Sequence, residues 1–168
     1  DIRVVDNSKT GWRDKTLWGA SEHTLITSIE KLKNGIGSKR TERNKDLLLN
    51  YSADEIDLSK MEGATIANSV IIPYSSYSTT SYKYNAEEKK YYRFVNDKEH
   101  IDYVTKKQYT FKNIITYKVE NYTLDDEEFK GRQGINNIGS GEGYYITDGY
   151  AEKINWKKDC RECQTIYT

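Results

Sequence analysis

Near its C-terminal end the chain carries two β-patterned runs, Gly143 to Thr147 and Tyr150 to Trp156, separated only by Asp148-Gly149. A two-residue Asp-Gly link between such runs reads as a hairpin closed by a type I′ turn, since both central residues take positive φ. That hairpin fixes the character of the C-terminal part: antiparallel sheet, built from neighbours in sequence. Other segments follow suit. Ser78 to Tyr84 alternates, with Thr80, Tyr82 and Tyr84 on one side; Asn85-Ala86-Glu87-Glu88 turns; Lys90 to Val95 returns; Asn96-Asp97-Lys98 turns again. Thr65 to Tyr74 reads as one strand with Ile66, Val70 and Ile72 aligned, its Pro73 placing it at a sheet edge. Phe111 to Tyr122 reads as one long strand with Ile115, Tyr117 and Val119 alternating. Gly139-Ser140-Gly141-Glu142-Gly143 lacks the Lys-Ser/Thr ending of a phosphate loop and leads into a strand, so it reads as a bulge or turn where backbones approach closely.

The N-terminal part is different. Ile2, Val4 and Val5 suggest a strand, and Asp1 opens mid-pattern, as in a fragment or processed product. Trp12 and Trp18 flank a charged loop. A helix is expected from an N-cap at Ser21, with Leu25, Ile29 and Leu32 on one face and Asn34-Gly35 stopping it. Leu47-Leu48-Leu49 is expected to pack, and Asp54 to Met61 to hold one short helical turn. The fold class is therefore α+β: a small α/β N-terminal remnant over residues 1–62, then a β-rich antiparallel meander or sandwich-like domain over 63–168.

Composition narrows the function. Only 36% of residues are hydrophobic, and 15 Tyr stand against 3 Phe and 3 Trp. Tyr joins an apolar ring to a polar tip, which suits half-buried strand faces and, secondarily, binding surfaces. Twenty-six basic residues balance 26 acidic ones, which argues against a nucleic-acid partner. The local basic cluster Lys39, Arg40, Arg43 and Lys45 reads as a solvated face. No apolar run approaches the ~18 residues of a membrane span. Neither His100 with Asp102 nor any other spacing defines an acid–base set or a nucleophile with its base. The acidic string Asp125 to Glu128 lacks the spacing of a calcium loop. No metal site and no cofactor is expected. Cys160-Arg161-Glu162-Cys163 follows a hairpin rather than opening a helix, so it reads as a local disulfide or two free thiols ahead of a redox centre.

Three segments carry a resemblance. They are Trp12-Arg13 with Glu22-His23-Thr24-Leu25-Ile26-Thr27-Ser28; Val70-Ile71-Ile72-Pro73-Tyr74 through Tyr91-Tyr92-Arg93-Phe94 to His100-Ile101-Asp102 and Lys112-Asn113-Ile114-Ile115; and Gly139 to Gly149 through Ile154-Asn155-Trp156. In order and spacing they resemble the YerB-type family of bacterial lipoproteins, built from two domains of unknown function. The resemblance covers roughly residues 10 to 167. It departs at Ala20-Ser21-Glu22, where the family has Lys-Ala-Pro, and at Thr24, where it has Asn.

The resemblance implies the end of an N-terminal domain plus most of a C-terminal one, without its last strand. It implies an extracytoplasmic location, with membrane attachment only through a lipid anchor outside this chain. It implies no reaction. On that footing the expected function is a non-catalytic binding or assembly module of the cell envelope, with Arg13, His23 and Thr27 as ligand-binding candidates and Cys160 and Cys163 as a disulfide. Its partner would be a protein or a cell-wall polymer, with self-association or a complementing chain at an open sheet edge. The alternatives are a cell-wall-acting enzyme or accessory centred on Arg13 and His23, and a structural protein pairing through sheet edges.

Overall fold

The computed structural model describes residues 9–17, 19–36, 49–125 and 130–168. The chain forms two compact units that part between Asp46 and Leu47. Ile2 to Val5, Trp18, the basic cluster at Lys39 to Lys45, Leu47-Leu48 and most of the acidic string Asp125 to Glu128 lie outside the described residues.

In the first unit β1 (Trp12–Arg13) pairs antiparallel with β2 (Leu25–Ile26), and α1 spans Ile29–Ile36. This differs from one helix starting at Ser21. Residues Ser21–Thr24 form a 3₁₀ turn whose cap lacks a side-chain bond, and Leu25 is drawn into strand pairing opposite Arg13. Ser28 is the working cap: its hydroxyl accepts the Lys31 backbone N–H at 3.2 Å, the N3 position of α1. The helix runs on through Asn34-Gly35, and none of its residues is buried.

The second unit is β-rich. Its strands are β3 (Thr65–Ile66), β4 (Ser69–Ser75), β5 (Ser78–Asn85), β6 (Lys90–Val95), β7 (Lys98–Glu99), β8 (Thr110–Phe111), β9 (Asn113–Tyr117), β10 (Glu120–Thr123), β11 (Gln133–Asn136), β12 (Gly139–Thr147), β13 (Tyr150–Lys158) and β14 (Ile166–Tyr167). One antiparallel sheet runs β14-β13-β12-β9, with β3 also on β13; another runs β4-β5-β6-β7, with β8 also on β6; β10 and β11 form a separate ribbon. Residues before Gly63 belong to this unit too. Leu58, in a 3₁₀ turn capped by the Asp57 carboxylate, is 1% exposed and packs against β13.

Two expected strands are broken where the chain changes sheet. Thr65 to Tyr74 splits at Ala67-Asn68, because β3 joins β13 while β4 joins β5. Ile66 is therefore exposed rather than aligned with Val70 and Ile72. Phe111 to Tyr122 splits at Lys112, between β8 on β6 and β9 on β12, and again before β10. Strands that switch sheets need such bends. Pro73 does sit on the outermost strand, beside a register shift. The glycine-rich run is neither bulge nor turn: it is regular β12, paired residue by residue with β13. Close approach is real at Gly143, where a Cβ would overlap the Thr116 carbonyl oxygen of β9.

Cross-strand register sets Ile114, Ile146 and Ala151 side by side on one face. They close against Tyr91, Ala67, Val70, Tyr82 and Tyr84 to make the core. The β12–β13 turn has positive φ at Asp148 and Gly149, as type I′ requires. At this point three groups close a ring of hydrogen bonds. The Tyr91 hydroxyl donates to the Ala67 carbonyl at 3.0 Å, the Gly149 N–H donates to the Tyr91 oxygen at 3.0 Å, and the Ala67 N–H donates to the Gly149 carbonyl at 2.6 Å. Tyr91 is fully buried, and burial pushes its phenol up to about 12.

Tyr91→Phe removes the partner of one buried donor and one buried acceptor. It should lower stability by about 2 kcal/mol, seen as a reduced urea midpoint at unchanged slope. Because the folded pKa is raised, the stability tied to the neutral phenol is complete below about pH 10 and is lost as pH climbs from 10 towards 12. The variant should lack that component, and an unchanged midpoint would count against the bridging role.

Candidate functional site

Strand alternation gives the β14-β13-β12-β9 sheet two faces. With Ile114 and Ile146 in the core, their neighbours Ile115, Tyr145 and Thr147 point to the opposite side, joined there by Ile154 and Tyr167. The irregular segment 49–56 crosses this outer face as a strap, and a cavity of about 450 Å³ lies between strap and sheet. Its wall mixes Ile and Tyr side chains with polar and charged ones, and two of the polar groups are fixed by hydrogen bonds. The Tyr145 hydroxyl donates to the Asn113 Oδ1 at 2.9 Å, and the Thr147 hydroxyl donates to the Lys112 carbonyl at 3.3 Å. Burial raises the Tyr145 phenol above its ordinary value, so it stays a neutral donor. Beyond the cavity the same face ends in an aromatic cluster, with Tyr117 5.3 Å from Trp156 and 5.8 Å from Tyr167 between ring centres.

The strap is tied by charge. Glu55 lies 2.8 Å from the Lys89 ammonium and 3.4 Å from that of Lys112, a residue of the cavity wall. The Lys89 contact first, and Lys112 after it, holds the Glu55 carboxyl below its usual range. All three side chains are about half exposed, so water and salt screen both pairs. The tether is weak by construction.

The residues singled out in the sequence fall elsewhere. In the first unit the Arg13 guanidinium donates to the Ser21 carbonyl, and the Thr27 hydroxyl donates to the Thr10 carbonyl at 2.7 Å. Both therefore brace the β1–β2 ribbon and its 3₁₀ turn. His23 is exposed on that turn. In the second unit His100 and Asp102 do not pair. The His100 ring lies against Tyr109 at 4.7 Å, while Asp102 accepts the Thr105 backbone N–H at 2.6 Å and the Tyr109 hydroxyl at 2.9 Å. The Thr105 bonds first, then that of Tyr109, hold its carboxyl down to about 2. Cys160 and Cys163 are joined by a disulfide across a tight turn, with Cα atoms 5.0 Å apart. Among the described residues no group of three or more His, Cys, Asp or Glu is placed to hold a metal.

Sequence reasoning gave no site role to Glu55, Lys112, Asn113, Tyr145 or Tyr167, although Lys112, Asn113 and Tyr145 lie in the segments that carry the family resemblance. The available signal was alternation: once Ile114 and Ile146 are assigned to the core, Ile115 and Tyr145 must face away from it.

The second unit is thus an antiparallel, β-rich domain with a cavity on the outer face of one sheet. Residues 70–168 match the model of the C-terminal domain of DUF3048, a family of proteins of unknown function, and the chain belongs to that family. The chain is also similar to the crystal structure of the YerB protein from Bacillus subtilis, at 18% identity and a TM-score of 0.65. The likeness covers 93% of this chain and 52% of that one, so the chain spans about half the length of that protein. At this identity the likeness is one of fold. A search of curated proteins finds no match.

The disulfide yields a direct expectation. Unfolded, non-reduced protein should take up no thiol label. Replacing both Cys160 and Cys163 by Ser should cost no more than about 2 kcal/mol, because so short a loop restricts the unfolded chain little. Two labelled thiols would contradict the bond.

Proposed function

We propose that this chain is a non-catalytic binding module of a bacterial cell-envelope protein, working outside the cytoplasm, with the outer-face cavity as its receptor. The observation that carries the reading is the cavity itself. It brings Ile and Tyr side chains together with oriented polar groups in one concave site, as small-ligand sites do. Its charged groups are Lys112, Glu55 and Asp54; Lys112 pairs with Glu55, which Lys89 also holds, and all of them lie at the exposed rim. They lack the buried, opposed environments that set an acid apart from a base.

Two further facts support the setting. The Cys160–Cys163 disulfide is of a kind that persists in oxidising compartments. The balanced charge favours a protein or cell-wall polymer over nucleic acid as partner.

The test is an NMR titration of isotope-labelled chain with soluble peptidoglycan fragments, combined with chromatography of the fragments afterwards. The expected result is shifts at Ile115, Tyr145 and Ile154 with the fragments recovered intact. Shifts confined to other surfaces would move the receptor elsewhere, and cleaved fragments would overturn the non-catalytic reading.

A further inference from the structure

The tether at the cavity rim carries information about what enters the cavity. Two ammonium groups, Lys89 and Lys112, converge on one carboxylate, and that carboxylate is delivered by an irregular strap rather than by the sheet. The two contacts differ. Lys89, on the β5–β6 turn, makes the shorter one, and the negative charge of Asp148 acts on it as well. Lys112 makes the longer contact, 3.4 Å, and is the lysine that lines the cavity. An acid group arriving from inside the cavity therefore meets Lys112 first, at the end of the tether that yields more easily.

The rest of the lining says what body the acid is attached to. Tyr51, Tyr145 and Tyr167 offer phenol rings, Ile115 and Ile154 an apolar floor, and Asn113 an amide whose N–H groups remain to donate after its oxygen has taken the Tyr145 hydroxyl. Rings and apolar floor suit the C–H faces of a pyranose, and the amide suits its hydroxyl rim. About 450 Å³ accommodates one or two such rings. Asp54 also lines the cavity, so an acid group is favoured only at the Lys112 end.

We propose, building on the reading of this cavity as the receptor, that its ligand is an anionic sugar unit and that Glu55 is a built-in substitute for the ligand's acid group. In the unliganded chain Glu55 occupies Lys112 and draws the strap across the cavity. The ligand's carboxylate or phosphate takes the place of Glu55 at Lys112, and the strap is released from that anchor as the sugar ring settles between the tyrosines. Binding and strap release are thus one exchange of ion pairs, with no net charge buried and no bond made or broken.

The experiment is an NMR titration of the labelled chain at low salt with glucuronate, glucose 6-phosphate and glucose. Wild type, Glu55→Gln, Lys112→Gln and Lys89→Gln are compared, each checked for an unchanged thermal transition. The two anionic sugars should shift Tyr145, Tyr167 and strap resonances and bind about fivefold more tightly than glucose. Glu55→Gln should tighten both about fivefold by removing the competitor, and Lys112→Gln should weaken them by a similar factor. Lys89→Gln should change affinity less than Lys112→Gln. The preference for anions should fade at high salt. Stronger binding of glucuronate points to a sugar acid, and stronger binding of the phosphate to a sugar phosphate. If the cavity resonances move equally for glucose and glucuronate, or Glu55→Gln changes nothing, the cavity remains a receptor but this inference is overturned. If no sugar moves those resonances, the inference fails outright, and the peptidoglycan titration decides the cavity reading on its own.

Discussion

The two main sheets of the second unit meet through one phenol. Tyr91 comes from the β4-β5-β6-β7 sheet, yet its hydroxyl is bonded on both sides to the other sheet's machinery: the turn residue Gly149 and the crossing residue Ala67. A buried hydroxyl without partners is costly, and so are a buried N–H and C=O. All three are satisfied only when β6, the β12–β13 turn and the β3–β4 crossing lie in this one arrangement. The apolar contacts of Ile114, Ile146 and Ala151 supply attraction but little direction. The hydrogen-bonded ring supplies the register, and in a chain with so few large aliphatic residues in its core that division of labour matters.

Committing one face of the β14-β13-β12-β9 sheet to this core leaves the other face to be covered by something else. Among the described residues of this unit the strap 49–56 lies over it, held by exposed ion pairs through Glu55. The inner face is therefore closed by buried, directional bonds and the outer face by weak, screened ones. A rigid sheet with a loosely tied cover can admit a ligand without disturbing its own core. That asymmetry, rather than any single residue, is what recommends the outer face as the proposed receptor.

Much of the β-rich unit was legible because its turns are chemically explicit. Asn96-Asp97 and Asp148-Gly149 both take positive φ, and β5, β6 and the turn-flanking parts of β12 and β13 lie where alternation put them. The illegible parts share a cause. The breaks at Ala67-Asn68 and Lys112 occur where a strand leaves one sheet for the other, and a period-two pattern is blind to which partner a residue pairs with. In the first unit the Leu25, Ile29, Leu32 spacing fits a helix, but β pairing with Trp12–Arg13 overrides it at Leu25. The cavity was hidden for a related reason: it exists only after the sheet's faces are assigned and a distant, unpatterned segment is laid across one of them. Arg13 and Thr27 were prominent in the sequence for motif reasons, and the backbone carbonyls they bond give them a bracing role in the first unit.

Native-state hydrogen exchange under mild denaturant tests the contrast between the two faces most directly. The Gly149 amide, donating to a buried hydroxyl, should exchange only with global unfolding of the unit. The amides of Ala53 to Ile56 should exchange orders of magnitude faster, by local opening that speeds further as salt weakens the Glu55 pairs. A Gly149 amide that exchanges as readily as the strap, or a strap as protected as β12, would contradict an account in which a rigid sandwich carries a releasable cover.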